Sequence, residues 1–571
     1  MFLVTFKFLW EYVSVSSLTE ILSLTSIILA SLLFIHYLYL EIKLLWNLPP
    51  GPWGVPLLGC LPWMSHGSPN SWFNSLAERY GNIFSLKLGT NLIICVSSPK
   101  ALRELFNRLD STARPHTPLN GLLGGFGIVL SEGELWKRQR QFLTEKFRLL
   151  GVKLWKNQPF EKYIITEVQE LLKKIDNSKD IPLDPMVVLG RHVHNVICEL
   201  MMSFRFEEGD PNFALFNERI SRGMELYGSV HVGEHLACYL KLPGKMAVIK
   251  EIKKNLTDIS KFHEDHLRAR LEKQLKSYRY FDEDIFNFYI KQLHDEYPAE
   301  ELPNLLAKKT DICTLEDNIA DDLQPEQNPF TNDKVKDLLH CFLEQIQNEK
   351  KDNDAPSIFV NKNKVKQVVQ VMNDLFSAGM ETSRTSIVWI LIMMLREPKV
   401  AEKVRSDLAE VVGTGELVTL EHRLDLPYVE AVIYETLRRV SVVPLGTTHV
   451  NLNDWKIQGF TIPSGSSIIP LLNKINMDPN YFPDPEKFLP ERFLLDGKLF
   501  VPDYFMPFGV GRRVCLGEQL ARMELFLFFA NLMNYYEFAL PEGESMPSLE
   551  GSFGTTHAAH PYTLVFRKLV A

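Results

Sequence analysis

The stretch Phe508-Gly509-Val510-Gly511-Arg512-Arg513-Val514-Cys515-Leu516-Gly517 sets one thiol in a loop of closely spaced glycines and paired arginines. Glycine accepts positive φ and lets a bulky planar ligand approach the backbone. From Glu518 to about Asn534 the chain is rich in Leu, Phe, Ala and Met and has no proline, which predicts a helix starting at or near the cysteine. The positive end of that helix, with its free N–H groups, would lower the thiol pKa and favour thiolate. Arg512 and Arg513 add charge suited to carboxylates. An activated nucleophile and a metal ligand both fit such a thiol. The plainer alternative is a buried structural cysteine, but the pattern F-x-x-G-x-R-x-C-x-G arises by chance on the order of once in several thousand chains of this length.

Other groupings could act on something bound beside that thiol. Trp136 and Arg140 put an indole N–H and a guanidinium four residues apart, on one helix face, where both could grip one anion. Arg114 lies upstream in Thr112-Ala113-Arg114-Pro115-His116, and His449 follows the turn Val443-Pro444-Leu445-Gly446. Lys364 to Arg396 is a long apolar helical pattern ended by Pro398, and it contains Ala378-Gly379-Met380-Glu381-Thr382-Ser383. Glycine inside a helix costs about 1 kcal/mol against alanine. A close approach by a flat ligand, with the Thr382 hydroxyl bending the helix, would account for it. Glu435 and Arg438 form an i, i+3 acid–base pair, ordinarily a surface bridge of little worth, with Pro490-Glu491-Arg492-Phe493 downstream.

In this order, these stretches resemble the cytochrome P450 family over nearly the whole chain from Pro49 onward. The Cys515 loop is similar to its haem-ligand loop, W-x-x-x-R to its propionate-binding helix, and Ala378 to Ser383 to its oxygen-activation helix. Glu435-Thr436-Leu437-Arg438 and Pro490-Glu491-Arg492-Phe493 match its E-x-x-R and P-E-R-F elements, and Pro49-Pro50-Gly51-Pro52-Trp53-Gly54-Val55-Pro56 resembles the hinge of microsomal members. The resemblance implies haem b, with Cys515 as the axial thiolate ligand of iron. It implies that Trp136, Arg140, Arg513, His449 and Arg114 neutralise the haem propionates, and that Phe508 and Gly379 adjoin the cofactor. Thr382 and Glu381 would deliver protons for oxygen activation. Glu435, Arg438 and Arg492 would form a buried ion cluster supporting the loop. The implied reaction inserts one oxygen atom of O2 into an apolar substrate such as a steroid, a fatty acid or a xenobiotic. A hydroperoxide isomerase or dehydratase of the same fold is a second reading, against which the intact Glu381–Thr382 pair argues. A membrane-anchored haem or lipid carrier is a third.

Electrons must come from outside, because there is no G-x-G-x-x-G fingerprint after a strand and no iron–sulfur cysteine cluster. For a microsomal member, NADPH–cytochrome P450 reductase is the implied partner. Its expected dock is the basic set Lys137, Arg138, Lys146 and Arg148, with Arg512 and Arg522. Apolar walls for substrate are expected at Leu119 to Leu130, around Met224 to Leu242, and at Val443 to Leu445.

The elements that position these residues read as a mainly α fold with a small β lobe near the N-terminus, where Tyr80 to Ser98 alternates as a hairpin. With 571 residues, 46% hydrophobic content and a net charge of −8, the chain is ordinary globular material, and the charge argues against general nucleic-acid binding. Seven widely spaced cysteines without a C-x-x-C pair suit a reducing compartment. Residues 1–47 read as an N-terminal region whose apolar run, Ile21 to Leu40, is long enough to cross a bilayer. A proline-rich hinge at 48–60 and a catalytic domain at 61–571 follow, interrupted by an acidic insertion at about 280–327. The expected location is the endoplasmic reticulum membrane, single-pass, with a cytosolic catalytic domain.

Overall fold

The computed structural model describes residues 22–36, 39–40, 42–43, 46–64, 69–276, 337–351, 358 and 364–569. The acidic stretch at 280–327 lies outside the described residues. Helices dominate: α1 (Pro69–Tyr80), α2 (Pro99–Phe106), α3 (Gly133–Leu149), α4 (Glu161–Ser178), α5 (Pro185–Met202), α6 (Pro211–Ser229) and α7 (Pro243–Lys276) precede that stretch. After it come α8 (Leu338–Lys351), α9 (Lys364–Arg396), α10 (Pro398–Val411), α11 (Pro427–Val440), α12 (Leu472–Asn476) and α13 (Glu518–Tyr535). Local chemistry starts several of them. Ser98, Asp184 and Asp210 cap α2, α5 and α6 by accepting backbone N–H bonds, and each is followed by proline at the first helical position.

The core is built around α9, buried on every face from Ser383 to Met394 and packed against α5, α7, α11 and α13. Burial all round explains why its sequence shows no polar stripe beyond Ser386. Trp389 is fully buried there and donates its indole N–H to the His557 carbonyl at 2.9 Å.

The β lobe is not confined to the N-terminus. Strands β1 (Ile83–Leu88) and β2 (Asn91–Val96) form the predicted hairpin, turning at Gly89-Thr90 with Gly89 at φ 59°. Counting strands in chain order, β3 (His449–Val450), β4 (Trp455–Ile457), β5 (Phe460–Ile462) and β6 (Ser467–Pro470) lie some 350 residues later. Strand β6 pairs in parallel with β2, and β3 pairs antiparallel with β6, giving the order β1-β2-β6-β3. A hairpin alone is marginal, so the free edge of β2 takes partners from the distant segment.

On the other edge, the proline-rich segment is fastened along β1. Ser85 donates its backbone N–H to Pro50 O at 3.0 Å and its hydroxyl to Pro49 O at 2.6 Å, and Cys60 N donates to Lys87 O at 2.6 Å. A Cβ on Gly51 would lie 1.6 Å from Ser85 O, so only glycine allows this approach. The expected hinge is thereby fastened to the edge of the sheet. Residues 22–36 are helical, with Leu22, Ile27, Leu33 and Ile35 exposed. Among the described residues, no helix is both long and apolar enough to cross a membrane.

Candidate active site

One cavity of ≈ 320 Å³ gathers Cys515, Phe508, Trp136, Arg140, Arg513, Arg114, His449, Gly379 and Thr382 from segments as far apart in sequence as α3 and α13. Glu381 is not in its wall, nor are Glu435, Arg438 and Arg492.

The thiol is held in a tight loop. Gly509 and Gly511 have φ of 78° and 83°. A Cβ on Gly511 would come within 2.2 Å of Phe106 O, whereas one on Gly509 would meet nothing within 4 Å. Gly511 therefore serves backbone packing against α2, where Arg512 N donates to Phe106 O at 3.0 Å. Cys515 N donates to Phe508 O at 3.0 Å. Cys515 is exposed and lines the cavity. Contrary to the expectation of a depressed pKa, burial pushes this thiol up. The N–H groups of Gly517 and Glu518 and the charge of Arg140 pull the other way, and the Glu518 carboxylate adds to the rise. Helix position alone does not make the thiolate; a coordinated metal does.

Around the cavity stand three guanidinium groups with no carboxylate ion pair among the described residues: Arg114, Arg140 and Arg513. Arg513 is bound to the backbone, its Nη2 donating to Thr112 O and Ser131 O at 2.5 Å, its Nε to Thr112 O at 2.9 Å, and its Nη1 shared between Ile128 O and Val129 O. It also lies over the Trp136 ring, 4.2 Å from the centroid. Burial pulls Arg513 down to about 8, Arg114 and Arg140 push the same way, and Glu132 opposes. Arg114 donates from Nε to Val129 O at 3.0 Å and from Nη1 to Thr448 O at 2.8 Å, and burial lowers it to about 10. Arg140 is lowered by burial and raised by the charge of Cys515. Cations crowded together without an ion-paired carboxylate favour an anionic ligand.

His449, expected to neutralise a propionate, lines the cavity and is fixed by a backbone carbonyl and an aromatic ring. Its Nδ1 lies 2.8 Å from Ser111 O, its ring stacks on Phe106 at 3.9 Å, and burial, reinforced by Arg114 and Arg513, lowers it to about 3. It is neutral, donating Nδ1–H to that carbonyl and leaving Nε2 as an acceptor.

Across the cavity, α9 is continuous through the expected bend. A Cβ on Gly379 would lie 2.5 Å from Ile197 Cδ1, so this glycine admits the close packing of α5 as well as bordering the cavity. Thr382 Oγ1 donates to Ala378 O at 2.8 Å, within the helix. Glu381 turns away, accepting from Arg384 Nη2 at 2.5 Å and Thr385 Oγ1 at 3.4 Å.

The Glu435 cluster is brought together below. Arg438 donates to Glu435 from Nε at 2.7 Å and from Nη2 at 2.8 Å, both side chains being 0% exposed. Arg438 also reaches the carbonyls of Asn476, Pro485 and Lys487. Leu489 N donates to Glu435 Oε1 at 2.8 Å, and Arg492 Nε approaches that oxygen at 3.5 Å.

Of the expected apolar walls, Ile128, Val129 and Val443 line the cavity. Leu119 instead joins Leu226, Val230 and Ile252 in a separate cluster. In the expected basic dock, Lys137, Arg148 and Arg512 are exposed, but Arg522 is folded inward, donating to Tyr434 Oη and Glu518 and lying over the Phe508 ring.

Two acids escaped the sequence reading. Asp374 accepts N–H bonds from Ile128 at 2.7 Å and Val129 at 2.9 Å, tying that wall to α9, and burial raises it to about 6. Its signal was a stripe at fourfold spacing, Asp374, Ala378, Thr382 and Ser386, all lining the cavity. Glu524, in the apolar run of α13, also lines it. The donor set fits haem: one thiol for iron, and unpaired cations with the Trp136 indole for its carboxylates.

Residues 49–566 match the family described as Cytochrome P450. Cytochrome P450 18a1 of Drosophila melanogaster is 38% identical over 544 residues, covering 95% of this chain and 90% of that protein. Human cytochrome P450 2D6 is 30% identical over 527 residues (90% and 92%), and human cytochrome P450 2U1 is 29% identical over 550 (91% and 89%). With the thiol loop, the unpaired cations and the hydroxyl-bearing helix meeting at one cavity, this chain belongs to the cytochrome P450 family of haem-thiolate monooxygenases.

Proposed function

We propose that this monooxygenase inserts one oxygen atom into an apolar substrate of the steroid, fatty-acid or xenobiotic kind, with electrons from NADPH–cytochrome P450 reductase. The observation that carries the site is the convergence of Cys515 and three unpaired guanidinium groups on one largely apolar cavity. When bound, haem supplies the reduction and cleavage of dioxygen. Cys515 Sγ would hold the iron. Arg140 and the Trp136 indole N–H are free to donate to the haem carboxylates, Arg114 retains Nη2, and Arg513 contributes chiefly charge because its donors are engaged. Phe508 and Gly379 border the cofactor. Thr382, with its proton directed to Ala378 O, presents oxygen lone pairs that can accept from a water. Glu381 can feed protons inward only by leaving Arg384. Val443, Ile128 and Val129 exclude water from the substrate.

The exposed cations Lys137, Arg148 and Arg512 are the reductase dock in this reading. The apolar run at 21–40, with the exposed side chains of its helical part, supports a single-pass anchor in the endoplasmic reticulum membrane, the body at 61–571 being cytosolic. The test is spectroscopic. Reduced protein under carbon monoxide should give the red-shifted Soret band of thiolate-ligated haem, and Cys515→Ser should abolish it. A histidine-type band in the unaltered protein would sink the assignment. A screen of steroids, fatty acids and xenobiotics for substrate-induced spectral shifts would then name the class.

A further inference from the structure

Arg522, a member of the expected basic dock, is folded inward beside the thiol loop and does not line the cavity. Its Nη2 lies 2.8 Å from Glu518 Oε1, one turn back on α13, and its Nη1 donates to Tyr434 Oη. The guanidinium also lies over two rings, 4.9 Å from the Tyr434 centroid and 5.2 Å from that of Phe508. An exposed i, i+4 pair is ordinarily worth little. This cation is instead held between a ring of α11 and a ring of the loop, with the paired side chains only 18% and 28% exposed, and a partly desolvated cation binds an aromatic face more strongly than an exposed one.

Glu518 gives that cation a task. As the first residue of α13 it meets the positive end of the helix, where an acid is favourable. The same carboxylate works against negative charge on Cys515: burial is the main force raising that thiol, and Glu518 adds to the rise. Phe508 bears on the thiol too, since its carbonyl accepts the Cys515 N–H at 3.0 Å and its side chain lines the same cavity. Arg522 therefore grips two neighbours of the sulfur, Glu518 through charge and Phe508 through its ring.

We propose that Arg522 is a positioning residue of the axial thiolate, which offsets the Glu518 charge beside the sulfur, pins the Phe508 ring, and so raises the reduction potential of the bound haem. A carboxylate left uncompensated near the iron favours the ferric form, which carries one more positive charge than the ferrous form, and an adjoining cation removes that bias. Arg114, Arg140 and Arg513 stand in the cavity wall and are taken by the haem carboxylates, so they do not replace Arg522 in this role. The inference rests on Cys515 being the iron ligand.

The test is a spectroelectrochemical titration of the haem-loaded full chain. Arg522→Leu should keep the carbon-monoxide band of a thiolate ligand but show a ferrous-to-ferric ratio about tenfold lower at a fixed potential, which is a midpoint about 59 mV more negative. Glu518→Gln should move the ratio about threefold the other way, and Arg522→Leu combined with Glu518→Gln should return to within about twofold of wild type, since no uncompensated charge remains. Arg522→Lys, which keeps the charge, should stay within about threefold. Should Arg522→Leu fail to retain haem, Glu518→Gln still decides, because it alters a partly exposed side chain. An unmoved midpoint in Glu518→Gln, or a double variant no nearer wild type than Arg522→Leu, would overturn the proposal. A histidine-type band in wild type would strike the Cys515 reading and this inference with it, whereas a thiolate band with unmoved midpoints would strike this inference alone.

Discussion

Two groups of buried charges flank this molecule's centre, and they are built in opposite ways. Around Glu435 the charge is closed: one carboxylate takes two bonds from Arg438 and one from Leu489 N, and Arg438 fills its remaining donors with carbonyls. Around the cavity it is open: Arg114, Arg140 and Arg513 share a wall, and none of them is ion-paired with a carboxylate among the described residues. The closed group is a structural fastening, and in the proposed reading the open group is half of a binding site. A salt bridge completed inside the chain fixes a segment, whereas a cation left uncompensated is compensated by a ligand.

Breaking the closed group should have the largest effect. Glu435→Ala strands Arg438 in the interior and should lower stability by about 3–5 kcal/mol, read from urea unfolding, with little haem retained. Disabling the open group should act differently. Arg140→Leu should leave the fold intact, since it removes no internal partner, but weaken haem retention about 10- to 100-fold, the worth of one charged hydrogen bond. Equal loss of stability in the two variants would erase the distinction. A third, smaller effect concerns pH. Glu524 holds its proton up to about 8 when folded and to its ordinary 4.5 when unfolded. Between those values the folded chain carries a proton the unfolded chain lacks, so stability falls as pH rises, by about 1 kcal/mol per unit, and levels off above about 8. Glu524→Gln should flatten urea midpoints measured across that window; a slope unchanged by the substitution would mean the acid is ionised in the fold.

The open group was legible from sequence because its members stand in short patterns: a thiol among glycines, and an indole four residues from an arginine. Helices α9 and α13 were legible for a related reason, being long, apolar and bounded by proline or the glycine loop. What could not be read was direction. Neighbouring residues Glu381 and Thr382 share a motif, yet a 100° step per residue turns one to the cavity and the other to Arg384. Arg513 looked like a ligand clamp, but its donors reach carbonyls of residues 112–131, which no local pattern announces. The sheet escaped for the same reason, since β2 finds β6 across more than 370 residues. Glu524 was a single letter in an apolar run, and only its burial beside a cavity gives it meaning.

The sheet has a mechanical consequence. The proline-rich segment is stitched to β1, and β3, at the far end of the order β1-β2-β6-β3, carries His449 in the cavity wall. Three strand spacings of about 4.8 Å make a plate about 14 Å wide, cross-linked by backbone bonds at every step. Such a plate resists shear, so a tilt imposed on residues 49–60 from the N-terminal side is transmitted to the edge that borders the cofactor site instead of being absorbed as slack. The molecule's leading segment is in this sense a lever arm, with its short end in the active site.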